Sequence, residues 1–136
     1  IIACSQLRAV HAQMGLVILL GTIGDEQYFQ RLCALIEQYD LRQSVYVLHG
    51  NYTLWPLFEH VDIFIRPTLS DGASVSVQEA LFCGVATIAS DVCWRPTGTV
   101  LYKTADSVDL SLQMEKLLNN KGSMRDHKQR HYMYTQ

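Results

Sequence analysis

The stretch P-T-L-S-D-G-A-S-V-S-V-Q-E-A-L-F-C-G-V-A-T-I-A, residues 67–89, decides the fold of this chain. It contains a loop with Asp71 and Gly72, a segment of helical periodicity over residues 74–83, and an apolar run over residues 85–89. These patterns predict a loop, a helix and a buried strand in succession. A loop that enters a helix offers free backbone N–H groups and a partial positive charge. The stretch therefore predicts an anion site at the start of this helix.

The segments outside this stretch also alternate between helical and extended patterns. The predicted helices are residues 2–14, 24–40, 54–60, 74–83 and 107–117, and the predicted strands are residues 15–20, 45–48, 61–65, 85–89 and 100–102. Alternation of this kind predicts parallel βαβ units, and hence an α/β, Rossmann-like three-layer domain with a parallel sheet. Ligands bind such sheets at the carboxyl ends of the strands, where the loops 21–25, 49–53 and 66–74 are expected.

Composition narrows the function classes. The chain has 136 residues, of which 49% are hydrophobic, and its 11 basic and 13 acidic residues give a net charge of −2. This charge implies no polyanion partner, so we expect no nucleic acid. The apolar runs are too short to span a bilayer. The four cysteines lack C-x-x-C spacing, which favours buried thiols in a cytoplasmic, reducing compartment.

Two carboxylates have both a structural and a functional interpretation. Asp71 precedes the predicted helix closely enough to be an N-cap, or it could accept sugar hydroxyls. Glu79 lies eight positions later, either as a solvated residue on the helix face or as an acceptor for ribose hydroxyls. His49, at a strand end, could be structural or could face a ligand. No D-x-D pair, Walker A motif, G-x-G-x-x-G or G-x-S-x-G motif occurs, so we expect neither a metal site nor hydrolase chemistry.

The ordered motifs of residues 15–118 resemble the C-terminal, donor-binding domain of a retaining GT-B glycosyltransferase of the GT4 family (glycosyltransferase group 1). They are L-V-I-L-L-G (16–21), S-V-Y-V-L-H-G (44–50), L-F-E-H-V-D-I-F-I-R-P-T (57–68) and S-D-G-A-S-V-S-V-Q-E-A-L-F-C-G-V-A-T-I-A-S-D-V (70–92). The last motif is similar to the E-x7-E region of that family. The resemblance implies one half of a two-domain enzyme.

The resemblance also implies a donor site, with Asp71 at the catalytic position near the hexose. Glu79 would hold the ribose hydroxyls. The donor-binding residues are Gly72, Ala73, Ser74, Val75, Ser76, Glu79, His49, Gly50 and Asn51. The amides of residues 72–74 would contact hexose hydroxyls and phosphate, residues 75 and 76 would cap the diphosphate, and residues 49–51 would border the nucleobase.

Three positions depart from the family pattern. Aspartate at position 71 is shorter than glutamate by one carbon–carbon bond, about 1.5 Å, which shortens its reach to the hexose. Ser74 replaces a glycine and narrows the loop, and Ala86 replaces a common proline. The resemblance implies no metal and no other cofactor.

As a whole, the chain is expected to be a single nucleotide-sugar-binding domain, residues 1–136, with a leading helix (1–14), a core (15–118) and a polar tail (119–136). By this resemblance, we expect the sequence to lack the family's acceptor-binding N-terminal domain and the basic pair that precedes the donor domain. We therefore expect the chain to fold and to bind donor weakly without turnover.

The leading functional hypothesis is retaining transfer from a UDP-hexose or UDP-N-acetylhexosamine to a lipid-linked saccharide. The product would be a bacterial surface polysaccharide, O-antigen or capsule, made in the cytoplasm at the inner face of the plasma membrane with peripheral membrane contact. The alternatives are a sugar-nucleotide epimerase of GT-B architecture and a non-catalytic α/β binding domain.

Overall fold

The computed structural model describes residues 1–21 and 26–120. The chain divides into two compact units, Ile1–Tyr52 and Thr53–Gln136. Every paired strand in the described residues is parallel, which confirms the predicted α/β class. The strands form a two-stranded sheet in the first unit and a three-stranded sheet in the second.

The first unit contains helices α1 (Ile2–Arg8) and α2 (Glu26–Gln38) and strands β1 (Leu16–Leu20) and β2 (Val45–His49). The strands pair in register from Leu16 opposite Val45 to Leu20 opposite His49. The apolar residues of α2 at helical spacing face inwards, with Leu32 and Ile36 buried, as the periodicity predicts. Ile36 joins a buried cluster whose other members are Cys4, Leu41 and Val45.

The second unit contains helices α3 (Trp55–Phe58), α4 (Val75–Phe82) and α5 (Ser107–Asn119) and strands β3 (Ile63–Arg66), β4 (Ala86–Ser90) and β5 (Thr99–Tyr102). The strand order is β3-β4-β5. The central strand β4 is the most buried, with Ile88 and Ala89 both 0% exposed. Phe58, Ala80 and Val85 form a buried cluster in this unit.

Helix α4 ends in a Schellman motif, as the glycine after the predicted helix suggests. Gly84 has a φ of 69°, a left-handed conformation that glycine adopts without a steric penalty. The amide of Gly84 donates to the carbonyl of Leu81, and the amide of Val85 donates to the carbonyl of Ala80. The turn releases the chain directly into β4.

The leading helix is shorter than predicted, because α1 ends at Arg8 and not at residue 14. Helical spacing over residues 2–14 would put Val10 on the apolar face with Leu7 and Met14, but Val10 is 68% exposed. Without a buried face, a further turn gains too little packing to form. The amides of Val10 and His11 instead close turns onto the carbonyl of Leu7.

Other boundaries differ by a few residues. The predicted helix 54–60 is confined to Trp55–Phe58, and the last helix extends to Asn119 rather than residue 117. The predicted start of the second helix at residue 24 and most of the polar tail, residues 121–136, lie outside the described residues. In the described part of the chain, no helix is both long and apolar enough to cross a membrane.

Candidate functional site

The loops of the second unit that follow β3 and β4 leave the sheet at one edge. Arg66, the last residue of β3, is opposite Ala89, and Ser90, the last residue of β4, is opposite Tyr102 of β5. Because the strands are parallel, loop 67–74 and loop 91–98 both start at their carboxyl ends. The thiol of Cys93 donates to the carbonyl of Gly72 over 3.4 Å, so the two loops are in contact.

Loop 67–74 leads into α4, whose first turn has no side-chain cap. Ser74 is the N-cap residue but makes no capping hydrogen bond; its hydroxyl lies 3.2 Å from that of Ser76. Val75 is 64% exposed. The first amides of a helix need acceptors from outside the helix. The start of α4 thus has no side-chain cap, and the anion site at this position stays a prediction.

Gly72 and Ala73, in the same loop, are both exposed. A Cβ placed on Gly72 would meet no atom within 4 Å, and its φ is not in the left-handed region. The glycine is therefore not required by the packing of this protein. Its small size leaves open space beside the start of α4.

Asp71 is not an N-cap but the acceptor of five hydrogen bonds from the protein. Its Oδ2 accepts from Arg95 Nη1 (2.8 Å), Arg66 Nε (3.1 Å) and Thr68 Oγ1 (3.2 Å). Its Oδ1 accepts from the Gly72 amide (3.0 Å) and Arg66 Nη2 (3.4 Å). A carboxylate has about four lone-pair sites, so no acceptor is left over. The two hydrogen bonds from Arg66, and then the one from Arg95, hold the pKa of Asp71 well below its usual value.

Arg95 lies in loop 91–98, and its side chain is only 1% exposed. Its Nε donates to the carbonyl of Ser90 over 3.1 Å, and its Nη2 lies within hydrogen-bonding distance of the hydroxyls of Ser90 and Thr68. Ser90 in turn donates to the carbonyl of Thr68 over 2.7 Å. A buried guanidinium is tolerated where a carboxylate and polar acceptors surround it, as they do here.

Glu79 lies one helical turn after the start of α4 and is half-buried. Its Oε1 accepts from Trp55 Nε1 over 3.2 Å. The ring of Trp55 packs edge-on against Phe82, with 5.9 Å between the centroids. The carboxylate is therefore oriented by an aromatic residue of α3, and it keeps a second oxygen for a ligand.

His49, Gly50 and Asn51 lie at the carboxyl end of β2, in the first unit. The Gly50 amide donates to the carbonyl of Leu20 over 3.0 Å, so this backbone group continues the sheet. The carbonyl of His49 accepts from the hydroxyl of Tyr52. Gly50 has a φ of 138°, and its Cβ would lie 3.4 Å from the ring of Tyr52. Glycine is therefore needed at this position.

Within the second unit, the structure places all the predicted residues 71–76 along one loop and the helix start. The sequence reasoning missed their supporting residues, namely Trp55, Arg66, Thr68, Ser90 and Arg95. Arg66 has a local signal, because it is a charged residue at the end of an apolar strand. Arg95 has none, since it reaches Asp71 from 24 positions away. In residues 1–21 and 26–120, no group of three His, Cys, Asp or Glu side chains could hold a metal ion.

The chain is similar in sequence and in structure to known proteins. The serotype-specific mannosyltransferase WbdA of Escherichia coli is 29% identical over 131 residues, which cover 91% of this chain and 16% of WbdA. The chain thus spans only a small part of this curated relative.

Among solved structures, the C-terminal domain of the glycosyl transferase group 1 protein LpcC from Francisella tularensis has a TM-score of 0.80 at 14% identity, covering 96% of this chain and 72% of that domain. Anabaena HepE in complex with UDP-glucose has a TM-score of 0.78 at 15% identity, covering 96% of this chain and 38% of HepE. These likenesses confirm the predicted Rossmann-like, GT-B type of fold. A model of the family described as glycosyl transferases group 1 matches residues 1–135, so the chain belongs to that family.

Proposed function

We propose that this chain is the donor-binding part of a retaining glycosyltransferase that transfers a hexosyl unit from a nucleoside diphosphate sugar. The observation on which this proposal rests is the uncapped start of α4, which opens at the carboxyl edge of parallel strands with Glu79 one turn further on. The helix start would accept the diphosphate, and its partial positive charge would stabilise the leaving group. Family membership favours a transferase over an epimerase of the same architecture.

In this proposal, the amides of residues 72–76 contact the diphosphate and hexose, and Glu79 accepts the ribose hydroxyls. A helix rises about 1.5 Å per residue. Glu79, four residues after Val75, therefore lies about 6 Å along α4 from the helix start, a separation suited to a ribose next to a phosphate.

The donor nucleotide is UDP in our preferred form of the proposal, with a hexose or N-acetylhexosamine. The crystal structure of HepE with UDP-glucose supports this choice through a shared fold. A mannosyl donor is the second candidate, because WbdA is named a mannosyltransferase. The acceptor is a lipid-linked saccharide of a surface polysaccharide, and we place the reaction at the inner face of the plasma membrane.

Isothermal titration of the chain with UDP, GDP and ADP tests the proposal. We expect one nucleotide to bind and the Glu79→Gln variant to bind it roughly tenfold more weakly, because an amide replaces a charge-assisted acceptor. Glutamine keeps an oxygen for Trp55, so the variant should fold normally. Equal affinity in the variant and the wild type would instead indicate a non-catalytic domain.

A second variant, Gly72→Ala, tests whether the donor comes into contact with the loop at Gly72. The added methyl meets no protein atom, so we expect unchanged thermal stability and weaker binding of the nucleotide sugar. Full affinity in this variant would show that the ligand does not come close to Gly72.

A further inference from the structure

Arg66, Asp71 and Arg95 form a cluster, the edge cluster, at the carboxyl ends of β3 and β4. Two guanidinium groups share one carboxylate, with Arg95 Nη1 and Arg66 Nε at 2.8 Å and 3.1 Å from Asp71 Oδ2. An isolated Arg66–Asp71 pair would be neutral. The addition of Arg95 leaves the cluster with a net positive charge, in a chain whose total charge is −2.

The two arginines of the edge cluster differ in how much of their hydrogen-bonding capacity is used. Arg95 is buried and directs four of its five N–H groups to Asp71, Ser90 and Thr68. Arg66 uses two N–H groups, both on Asp71, and its side chain is 39% exposed. Its other three N–H groups have no acceptor within the described residues. Arg66 is therefore the member that can bind a ligand.

Arg66 lies close to the loop that leads into α4. Arg66 Nη2 and the Gly72 amide donate to the same atom, Asp71 Oδ1. The guanidinium of Arg66 thus lies beside the Gly72 amide, in the exposed part of the loop that enters the helix. Asp91, the next acid on this edge, is occupied by the amide and hydroxyl of Thr104.

We propose that Arg66 binds an oxyanion of the nucleotide sugar, and that Asp71 and Arg95 are positioning residues that orient its guanidinium. This inference rests on the proposed function. A planar guanidinium matches the two oxygens of a phosphate or a carboxylate. The oxyanion is therefore either a phosphate of the diphosphate or the carboxylate of an acidic donor sugar. Both carboxylate oxygens of Asp71 already accept hydrogen bonds from the protein, so in this arrangement neither can accept one from a sugar hydroxyl.

The inference is tested by titration of the Arg66→Gln variant with uridine, UDP, UDP-glucose and UDP-glucuronic acid. If GDP is the nucleotide that binds, the corresponding guanosine ligands replace these four. Lys116→Gln is the matched control, because it removes the same charge from the exposed surface of α5 in the same unit. We expect the Arg66→Gln variant to bind UDP about tenfold more weakly. Uridine, which has no oxyanion, should bind it like the wild type, and the control should bind all four ligands normally.

The arms of this titration distinguish the two sources of the oxyanion. Similar weakening for UDP, UDP-glucose and UDP-glucuronic acid identifies a phosphate contact, and weakening for UDP-glucuronic acid alone identifies the sugar carboxylate. Arg66→Lys, which keeps the charge, should recover part of the lost affinity. If Arg66→Gln binds all four ligands normally while Glu79→Gln does not, the inference is wrong and the proposed function stands. A wild-type chain that binds no nucleotide contradicts both.

The positioning role of Asp71 has its own readout. If Asp71 holds Arg66 on the diphosphate, the Asp71→Asn substitution should change the affinities for UDP and for UDP-glucose by the same factor. If Asp71 contacted the hexose, only the affinity for UDP-glucose would change. Weakening confined to UDP-glucose would therefore overturn the positioning role.

Discussion

The ion pair of Asp71 and Arg95 is nearly removed from water, with side chains 10% and 1% exposed. Burial of two charges is costly, and their attraction offsets this cost only when the remaining polar atoms are also satisfied. Ser90 and Thr68 provide those partners for Arg95. The loss of one partner would leave an uncompensated guanidinium in the interior. Asp71 is thus a strong local determinant of the loop conformation, whatever the ligand.

Asp71→Asn should lower the free energy of unfolding by about 3 kcal/mol at pH 7. Because the pKa of Asp71 is lowered in the folded state, its stabilising effect is complete above the unfolded-state pKa of about 3.9. The effect is lost as the pH falls below that value towards the folded-state pKa. Urea unfolding of wild type and variant should therefore show a difference in free energy that shrinks between pH 7 and pH 3.

The control for this comparison is Glu37→Gln, which breaks an exposed pair. The side chains of Arg42 and Glu37 are 70% and 50% exposed, so this substitution should change the free energy of unfolding far less than Asp71→Asn does. A difference between wild type and Asp71→Asn that is independent of pH would contradict the role assigned to the carboxylate charge.

At the scale of secondary-structure elements, α4 and α5 begin in different ways. Asp106 caps α5, and its Oδ1 accepts from the amides of Val108 and Asp109, each over 3.0 Å. Ser74 occupies the same position at α4 without such a bond. A side-chain cap satisfies the amides that an anion would otherwise bind. Of these two helices, α4 is therefore the one whose start is suited to an anionic ligand.

A matched pair of alanine substitutions tests this difference between the helices. Asp106→Ala should lower the free energy of unfolding by about 1 kcal/mol, because two amides lose their acceptor. Ser74→Ala should cost less, since it removes the hydroxyl contact with Ser76 but no bond to a helix amide. Thermal or urea denaturation of both variants measures the effects. Equal losses would indicate that Ser74 caps α4 in solution.

At the scale of the whole molecule, each compact unit has a buried cluster of its own. Ile36 lies in the cluster of the first unit, and Phe58, 2% exposed, lies in that of the second. Family membership extends over both units, since the family model matches residues 1–135. The prediction of a single domain therefore depends on whether the two units unfold together.

Ile36→Ala and Phe58→Ala should each cost several kcal/mol, about 2–5 by analogy with other large-to-small core substitutions. Because each side chain packs within its own unit, we expect the larger loss of amide protection in the unit that contains the substitution. Hydrogen exchange followed by mass spectrometry resolves the two units. Equal loss of protection throughout the chain in both variants would show one cooperative domain.

Much of the fold follows from local patterns in the sequence. The apolar runs predict strands close to β1–β4, and the glycine after Cys83 predicts the end of α4, because helix caps and strand periodicity depend on neighbouring residues. The leading helix is an exception, because its pattern predicts residues 2–14 whereas α1 ends at Arg8. Its periodicity alone does not show that Val10 lacks a packing partner.

The sequence by itself determined the parallel α/β class and the resemblance to glycosyltransferases, since these depend on residues close together in the chain. It also predicted an anion site at the start of α4 from the same local pattern. Only the tertiary structure decided the environment of Asp71 and Glu79. Arg95 reaches Asp71 because β4 pairs with β3 in a particular register, and Trp55 reaches Glu79 from 24 residues away. Contacts between distant residues depend on the packing of whole elements, which no local pattern specifies.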